Sequence, residues 1–302
     1  MPDTAKRARM QPKAATTKPK RRPAWIKVSP EKAEATAEIR KLMRRQALHT
    51  VCEEAMCPNL SECFGSGTAT FLMLGDICTR SCKFCDVKHG KPAILDWEEA
   101  ERVAQAVKMM KLKHAVITSV NRDERRDGGA PIFAMVIRRI HELMDDCSVE
   151  VLIPDFKGSV ETLKIIIDAK PDILNHNIES VPRLFKSIQP QSNYAVTEAV
   201  LRNAKKLMFA GLTKSGIMVG LGEEMDEVKE VMRDLHTWGV DILTIGQYLQ
   251  PSRKHLPISR YYTLAEFTEL KEFGVGLGFR WVESGPLVRS SYHAAEQVKG
   301  LK

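Results

Sequence analysis

The chain has 302 residues, 43% of them hydrophobic, and a formal net charge of +8. That length accommodates one large α/β domain or two smaller ones. No run approaches the roughly 20 apolar residues that a membrane helix needs, and no apolar h-region opens the chain, so neither a membrane span nor a secretory signal is expected.

The charge is unevenly placed. Residues 1–27 hold nine basic residues and one acid, Asp3, whereas the remainder holds 37 basic and 37 acidic residues. The basic balance therefore describes a tail, residues 1–28, rich in Lys, Ala, Thr and Pro and read as disordered. A neutral body gives no ground for a nucleic-acid groove, so nucleic acid and membrane are not expected partners. A cytoplasmic location is expected. The Lys- and Pro-rich tail departs from the Arg-rich pattern of a mitochondrial import sequence, which stays the minor alternative.

After the tail, a helical pattern covers residues 30–49, and "VCEEAMCPNLSEC" follows it. Short apolar runs suited to buried strands then recur at 70–75, 114–120, 149–156, 173–179, 214–221 and 241–249. Helical patterns lie between them at 96–111, 130–146, 159–169, 196–211 and 225–239, with a last one at 263–278. Gly211 and Gly239 stand where helix C-caps belong. Six β-then-α units imply a parallel sheet with helices outside it. Six is fewer than the eight of a closed barrel. The expected fold is thus α/β, a partial (β/α)6 TIM-like barrel over 70–260. An N-terminal extension precedes it at 29–69, and a C-terminal extension follows at 261–302. Chemistry in such folds gathers at the carboxyl ends of the strands.

There are seven cysteines, six of them within 52–85. Without a secretion signal, a disulfide framework is not expected. The spacings are C-x4-C-x5-C, at Cys52, Cys57 and Cys63, then C-x3-C-x2-C in "CTRSCKFC", at Cys78, Cys82 and Cys85. Thiolates select zinc, copper(I) or iron–sulfur clusters. Neither triple has the paired C-x2-C of a zinc ribbon. Two triples in tandem suit two [4Fe-4S] clusters, each tied down at three irons. A single zinc using four of the six thiols, in a non-catalytic module, is the alternative left by spacing alone. His89 reads as a surface histidine and Cys147 as a buried, inert thiol. Methionines 109, 110, 135, 144, 208 and 232 fall in helical patterns and read as core filling. Arg122, Asp123, Arg125, Arg126 and Asp127 read as a solvated, charged turn.

"CTRSCKFCDV" resembles the cluster loop of the radical S-adenosylmethionine superfamily. There the fourth iron is left open for the amino and carboxylate groups of S-adenosylmethionine. An electron passed to the sulfonium releases methionine and a 5′-deoxyadenosyl radical, which takes hydrogen from an unactivated carbon. The first cysteine triple narrows the resemblance. "CEEAMCPNLSEC", "TSVNRDERRDGGA" (118–130), "LNHNIESVPRLF" (174–185), "TKSGIMVGLGE" (213–223), "IGQYLQPSRKHLP" (245–257) and "VESGPLVRSSYHA" (282–294) resemble the lipoyl synthase family. The likeness covers roughly 30–295.

That resemblance implies that Cys78, Cys82 and Cys85 bind the S-adenosylmethionine cluster. Cys52, Cys57 and Cys63 bind an auxiliary cluster that donates sulfur and is consumed. A serine of "RSSY" supplies the auxiliary cluster's fourth ligand, assigned to Ser291 with Ser290 as fallback. It implies sulfur insertion at C6 and C8 of an octanoyl chain carried on a lysine. The carriers are lipoyl domains of 2-oxoacid dehydrogenase complexes and the glycine-cleavage carrier protein, and flavodoxin or ferredoxin is the kind of electron donor. Phe84, Thr118, Ser119, Asn121, Asn175, Glu179, Lys214, Ser215 and Gly220 are the residues expected around S-adenosylmethionine. Their bland reading is strand termini and helix caps. Another two-cluster radical enzyme that inserts sulfur or transfers methylthio groups is the alternative.

Overall fold

The computed structural model describes residues 22–26, 33–54, 57, 59–60, 63, 69–207, 211–292, 294 and 296–297. Most of the expected basic tail lies outside the described residues; of its described part, Ile26 is buried.

Eight strands form one sheet in sequence order: β1 (His49–Thr50), β2 (Thr70–Met73), β3 (His114–Ser119), β4 (Ser148–Leu152), β5 (Ile173–Asn175), β6 (Leu212–Val219), β7 (Ile242–Gln247) and β8 (Trp281–Gly285). β1 pairs antiparallel with β2, and every later pair is parallel. Parallel neighbours need crossovers, and helices supply them. They are α3 (Glu99–Met109), α4 (Ala130–Leu143), α5 (Val160–Ile167), α6 (Pro182–Ile188) with α7 (Tyr194–Leu207), α8 (Met225–Thr237) and α9 (Leu264–Leu277). α1 (Ala33–Arg45) and the single turn α2 (Val51–Glu54) precede the parallel strands. Among the described residues no pairing joins β8 back to β1 or β2, so the barrel is open.

All six expected strands are present. β8 is a seventh parallel strand that the sequence reading did not anticipate. Only Val282 of its five residues is buried, so no apolar run marks it. The helix expected over 30–49 ends at Arg45, and Ala47 turns the chain with φ +49° into β1. Gly239 follows α8 with φ +85°, as a C-cap glycine should. The other expected cap, Gly211, borders 208–210, outside the described residues. Met232 is core, whereas Met109 and Met135 are partly exposed and do not fill it; Met208 lies outside the described residues. Cys147 is buried, and burial pushes its thiol up to about 11.

Strand periodicity divides the barrel into two layers. Ala115, Ile117, Val149, Val151 and Leu174 face outward beneath Val136, Ile137, Ile140, Leu163 and Ile166. Val219, Leu243 and Ile245 do the same beneath Val228, Val231, Leu235 and Leu270. The intervening residues face the lumen, which is largely polar. There Lys214 Nζ donates to Glu150 Oε2 at 3.0 Å, both side chains being fully buried. Asn175 Nδ2 donates to Glu150 Oε1 at 3.0 Å, and His114 Nε2 lies 3.4 Å from Glu150 Oε2. Burial works against ionising Glu150, but Lys214 and His114 hold its carboxyl down at about 2.

A buried ion pair is costly to break from one side. Lys214→Met is expected to lower unfolding stability by about 3–5 kcal/mol, read as a fall in the urea midpoint. Glu150→Gln/Lys214→Met should regain most of it. The folded-state value of Glu150 lies below the ordinary 4.5, so the pair's contribution is complete above pH 4.5 and lost as pH falls toward about 2. The stability difference between wild type and Lys214→Met should shrink across that window.

Candidate metal centre and active site

The loop leaving β2 carries Cys78, Cys82 and Cys85 at the carboxyl end of the sheet. Its backbone is pinned on several sides. Cys78 N–H donates to Lys88 O at 2.8 Å, and Gly90 N–H returns to Cys78 O at 2.9 Å. Lys83 N–H donates to Ile188 O at 2.8 Å, Leu256 N–H donates to Lys83 O at 3.2 Å, and His255 Nε2 donates to Cys85 O at 3.1 Å. The Cys78 sulfur accepts from the backbone N–H of Arg80 at 3.4 Å and of Asn121 at 3.3 Å.

Arg80, between the first two cysteines, is the loop's anchor. Its guanidinium donates to both Asp155 oxygens at 2.6 Å, to Asp123 at 2.7 and 2.9 Å, and to Ser192 Oγ at 3.2 Å. Burial opposes ionisation of Asp155, but Arg80 holds its carboxyl below the usual carboxylate range. The turn read as solvated is therefore only partly so. Asp123 belongs to this lock. Arg122 is buried, donating to Leu74 O at 2.8 Å and to Ala93 O at 2.6 Å. Arg125 and Asp127 form a half-exposed pair, as a charged turn would. His89 is exposed, as expected.

Around this loop stand some of the residues expected to meet S-adenosylmethionine. Glu179 follows β5 with φ +66°, and burial pushes its carboxyl up to about 7, opposed by a hydrogen bond from Asn177. Its charge reaches Cys82 and Cys85. Ser119 Oγ is buried without a hydrogen bond among the described residues. Asn121 lies against Cys78 through its backbone, and Phe84 is half-buried in the loop.

Other residues of that set are engaged within the barrel. Thr118 Oγ1 donates to Leu152 O at 2.8 Å, and Ser215 Oγ accepts from Ile178 N–H at 3.1 Å. Asn175 and Lys214 serve Glu150, although Asn175 Oδ1 is buried without a partner. Gly220, with φ +100°, has the Arg260 carbonyl and Gln247 amide where a Cβ would stand, so close packing requires glycine there.

The other triple lies beside the C-terminal segment. Cys57 N–H donates to Cys52 O at 3.1 Å and Cys63 N–H to Asn59 O at 2.9 Å. Asn59 Nδ2 donates to Leu287 O at 2.6 Å, and the Arg289 charge favours the Cys57 thiolate. Gly246 on β7 lets Val288 cross it, since a Cβ there would stand 2.1 Å from the Val288 carbonyl oxygen. Asn177 Nδ2 donates to Ser290 Oγ at 2.8 Å. The Ser291 hydroxyl has no hydrogen bond among the described residues.

This donor set fits iron–sulfur clusters. All seven cysteines are free of disulfides. Cys57 is near enough to raise Cys52, and the three thiols of the second triple are near enough to act on one another. Burial first, then Cys57, pushes Cys52 to about 12; burial first, then Cys85, Glu179 and Cys78, pushes Cys82 to about 12; burial brings Cys85 to about 11. Such thiols ionise only beside strong positive charge, which iron provides. Sequence reading missed Arg80, Asp155, Asn59, Asn177 and His255. Only Arg80 carried a local signal, its place inside the cysteine spacing.

The Radical SAM superfamily profile matches residues 72–235. A lipoyl synthase of Rubrobacter xylanophilus is 57% identical over 281 residues, covering 93% of this chain and 88% of that protein. One from Bacillus cytotoxicus is 53% identical over 287 residues, covering 95% and 96%. Among solved structures, methylornithine synthase (PylB) aligns with a TM-score of 0.53 at 13% identity, over 87% of this chain and 81% of that one. Streptococcus suis SuiB bound to precursor peptide SuiA aligns at 0.56 and 11% identity, over 74% and 50%. These likenesses agree with the open α/β barrel. By its sequence, the chain belongs to the lipoyl synthase family of radical S-adenosylmethionine enzymes.

Proposed function

We propose that this protein inserts two sulfur atoms, at C6 and C8, into an octanoyl chain held on a lysine of a carrier protein. Family membership implies one [4Fe-4S] cluster and S-adenosylmethionine. The finer reading adds a second, auxiliary [4Fe-4S] cluster on Cys52, Cys57, Cys63 and Ser291, with Cys78, Cys82 and Cys85 holding the first. When bound, these groups supply the reducing electron, the alkyl radical and the sulfur.

The chain's own residues do the rest. Arg80, with Asp123 and Asp155, fixes the loop that presents Cys78, Cys82 and Cys85. The N–H groups of Arg80 and Asn121 stabilise negative charge on the Cys78 sulfur. Glu179, Ser119, Asn121 and Phe84 are the residues assigned to S-adenosylmethionine. Glu179 would hold its amino group. Thr118, Asn175, Lys214, Ser215 and Gly220 shape the wall behind them.

The observation that carries this reading is the contrast between the adjacent serines. Ser290 is taken up by Asn177, while Ser291 is left unengaged on the segment that Asn59 binds to the first cysteine loop. An oxygen ligand is harder than thiolate and suits a cluster that must be dismantled. The carriers we assign are octanoylated lipoyl domains of 2-oxoacid dehydrogenase complexes and the glycine-cleavage carrier protein. Flavodoxin or ferredoxin is the proposed electron donor. No described helix is long and apolar enough to cross a membrane. The proposed site of action is the bacterial cytoplasm.

The test is iron per chain after anaerobic reconstitution. Wild type is expected to carry roughly eight irons and Cys52→Ala/Cys57→Ala/Cys63→Ala about four. That variant should still cleave S-adenosylmethionine yet form no lipoyl product; lipoyl product from it would sink the sulfur-donor assignment. A wild type with only about four irons would instead indicate a one-cluster radical enzyme. Arg80→Gln leaves two carboxylates without their cation. It is expected to lose about 3–5 kcal/mol of stability and to show reduced iron on the second triple, while iron on the first triple persists.

A further inference from the structure

The lumen ion pair does something that the reaction itself does not require: it holds the segment bearing Ser291. Lys214 Nζ, besides binding Glu150, donates to Gln297 Oε1 at 2.8 Å. Gln297 is completely buried, and its Nε2 donates to Tyr292 O at 3.2 Å. On the other side of Ser291, Asn177 Nδ2 donates to Ser290 Oγ at 2.8 Å. Residues 290 and 292 are therefore each tied to a different part of the barrel, and Ser291 stands between the ties. Its own carbonyl accepts from Ala294 N–H at 3.4 Å, and Tyr292 N–H donates to Arg289 O at 2.9 Å. The backbone at Ser291 is thus constrained on both flanks while its hydroxyl is left unengaged.

We propose that Gln297 and Asn177 are positioning residues that aim the Ser291 oxygen at the auxiliary cluster, with Gln297 anchored by Lys214 and Glu150. This rests on the reading of Ser291 as the fourth ligand. A monodentate hydroxyl on a short side chain binds poorly unless its backbone is fixed, because each free dihedral adds entropy that ligation must overcome. Partners of metal ligands that lie one bond further out commonly affect metal retention by roughly 10–100-fold. Gln297 lies 83 residues from the lysine that holds it, and Ser290 lies 113 from Asn177, so the clamp exists only in the folded barrel.

The experiment uses the full chain with Cys78→Ala/Cys82→Ala/Cys85→Ala, so that the first triple carries the remaining cluster. After reconstitution, the rate of iron release to bathophenanthroline is followed, with the Mössbauer spectrum of the cluster in parallel. In this background Ser291→Ala, Gln297→Leu and Asn177→Ala are each expected to speed iron release about tenfold or more. All three should show one iron site with altered parameters. Gln297→Leu/Ser291→Ala should be no faster than Ser291→Ala alone. Asn177→Ala tests the opposite tie and stands in if Gln297→Leu does not fold, which its urea midpoint reports. If Ser291→Ala accelerates release but Gln297→Leu and Asn177→Ala match the parent, the positioning role is wrong and the ligand reading survives. Effects that add to Ser291→Ala would also refute positioning. If Ser291→Ala itself changes nothing, the ligand reading fails and takes the clamp with it.

Discussion

The guanidinium of Arg80 holds the active end of the barrel together. One planar cation binds the carboxylates that follow β3 and β4, Asp123 and Asp155, and reaches Ser192 beyond α6. Arginine suits this place because its fork meets two carboxylates at once and keeps its charge when buried. The lock also explains why a loop with three half-buried thiols has a defined path. Without a fixed centre, the cost of burying Cys82 and Cys85 would favour an exposed loop. With it, the thiols stay together where a cation can be captured.

The lumen obeys the same rule at greater depth. Parallel β/α barrels normally fill their interior with apolar layers. Here Ile173 and Ile242 form such a layer with Leu212 and Trp281. Beside it Glu150, Lys214, His114 and Asn175 form a closed polar group. An ion pair in that setting adds little net stability over a well-packed apolar pair. Its value lies in direction, since Lys214 has donors left over for Gln297. The polar lumen thereby serves as an attachment point for a segment that comes from outside the sheet.

What the sequence disclosed follows from what is local. The cysteine triples were legible because ligand spacing is a short-range property. The six strands were legible because runs such as "HAVITSV" are buried on their outward face and uninterrupted by turn residues. β8 was not, because only Val282 is buried in it. Arg122 and Asp123 looked like surface charge because their partners are remote; Asp123 meets Arg80 from 43 positions away. Lys214 is placed near the cofactor by the family resemblance, and nothing local to position 214 announces its pairing with Glu150. The resemblance ranks Ser291 over Ser290, but nothing local announces that Asn177 binds Ser290. Long-range polar contacts leave no periodicity for sequence reading to find.

The tie between Asn59 and Leu287 spans 228 residues. On a ribosome, the three N-terminal cysteines appear early, and the serine assigned to complete their set appears only after every barrel strand has been made. Closing so long a loop is slow in a chain that folds from local contacts outward. The first triple thus spends the whole of synthesis as an unfinished site, exposed to oxidation or to adventitious metal. Under the proposed assignment, a cell making this protein must either keep those thiols reduced and unclaimed through translation, or load the auxiliary cluster last.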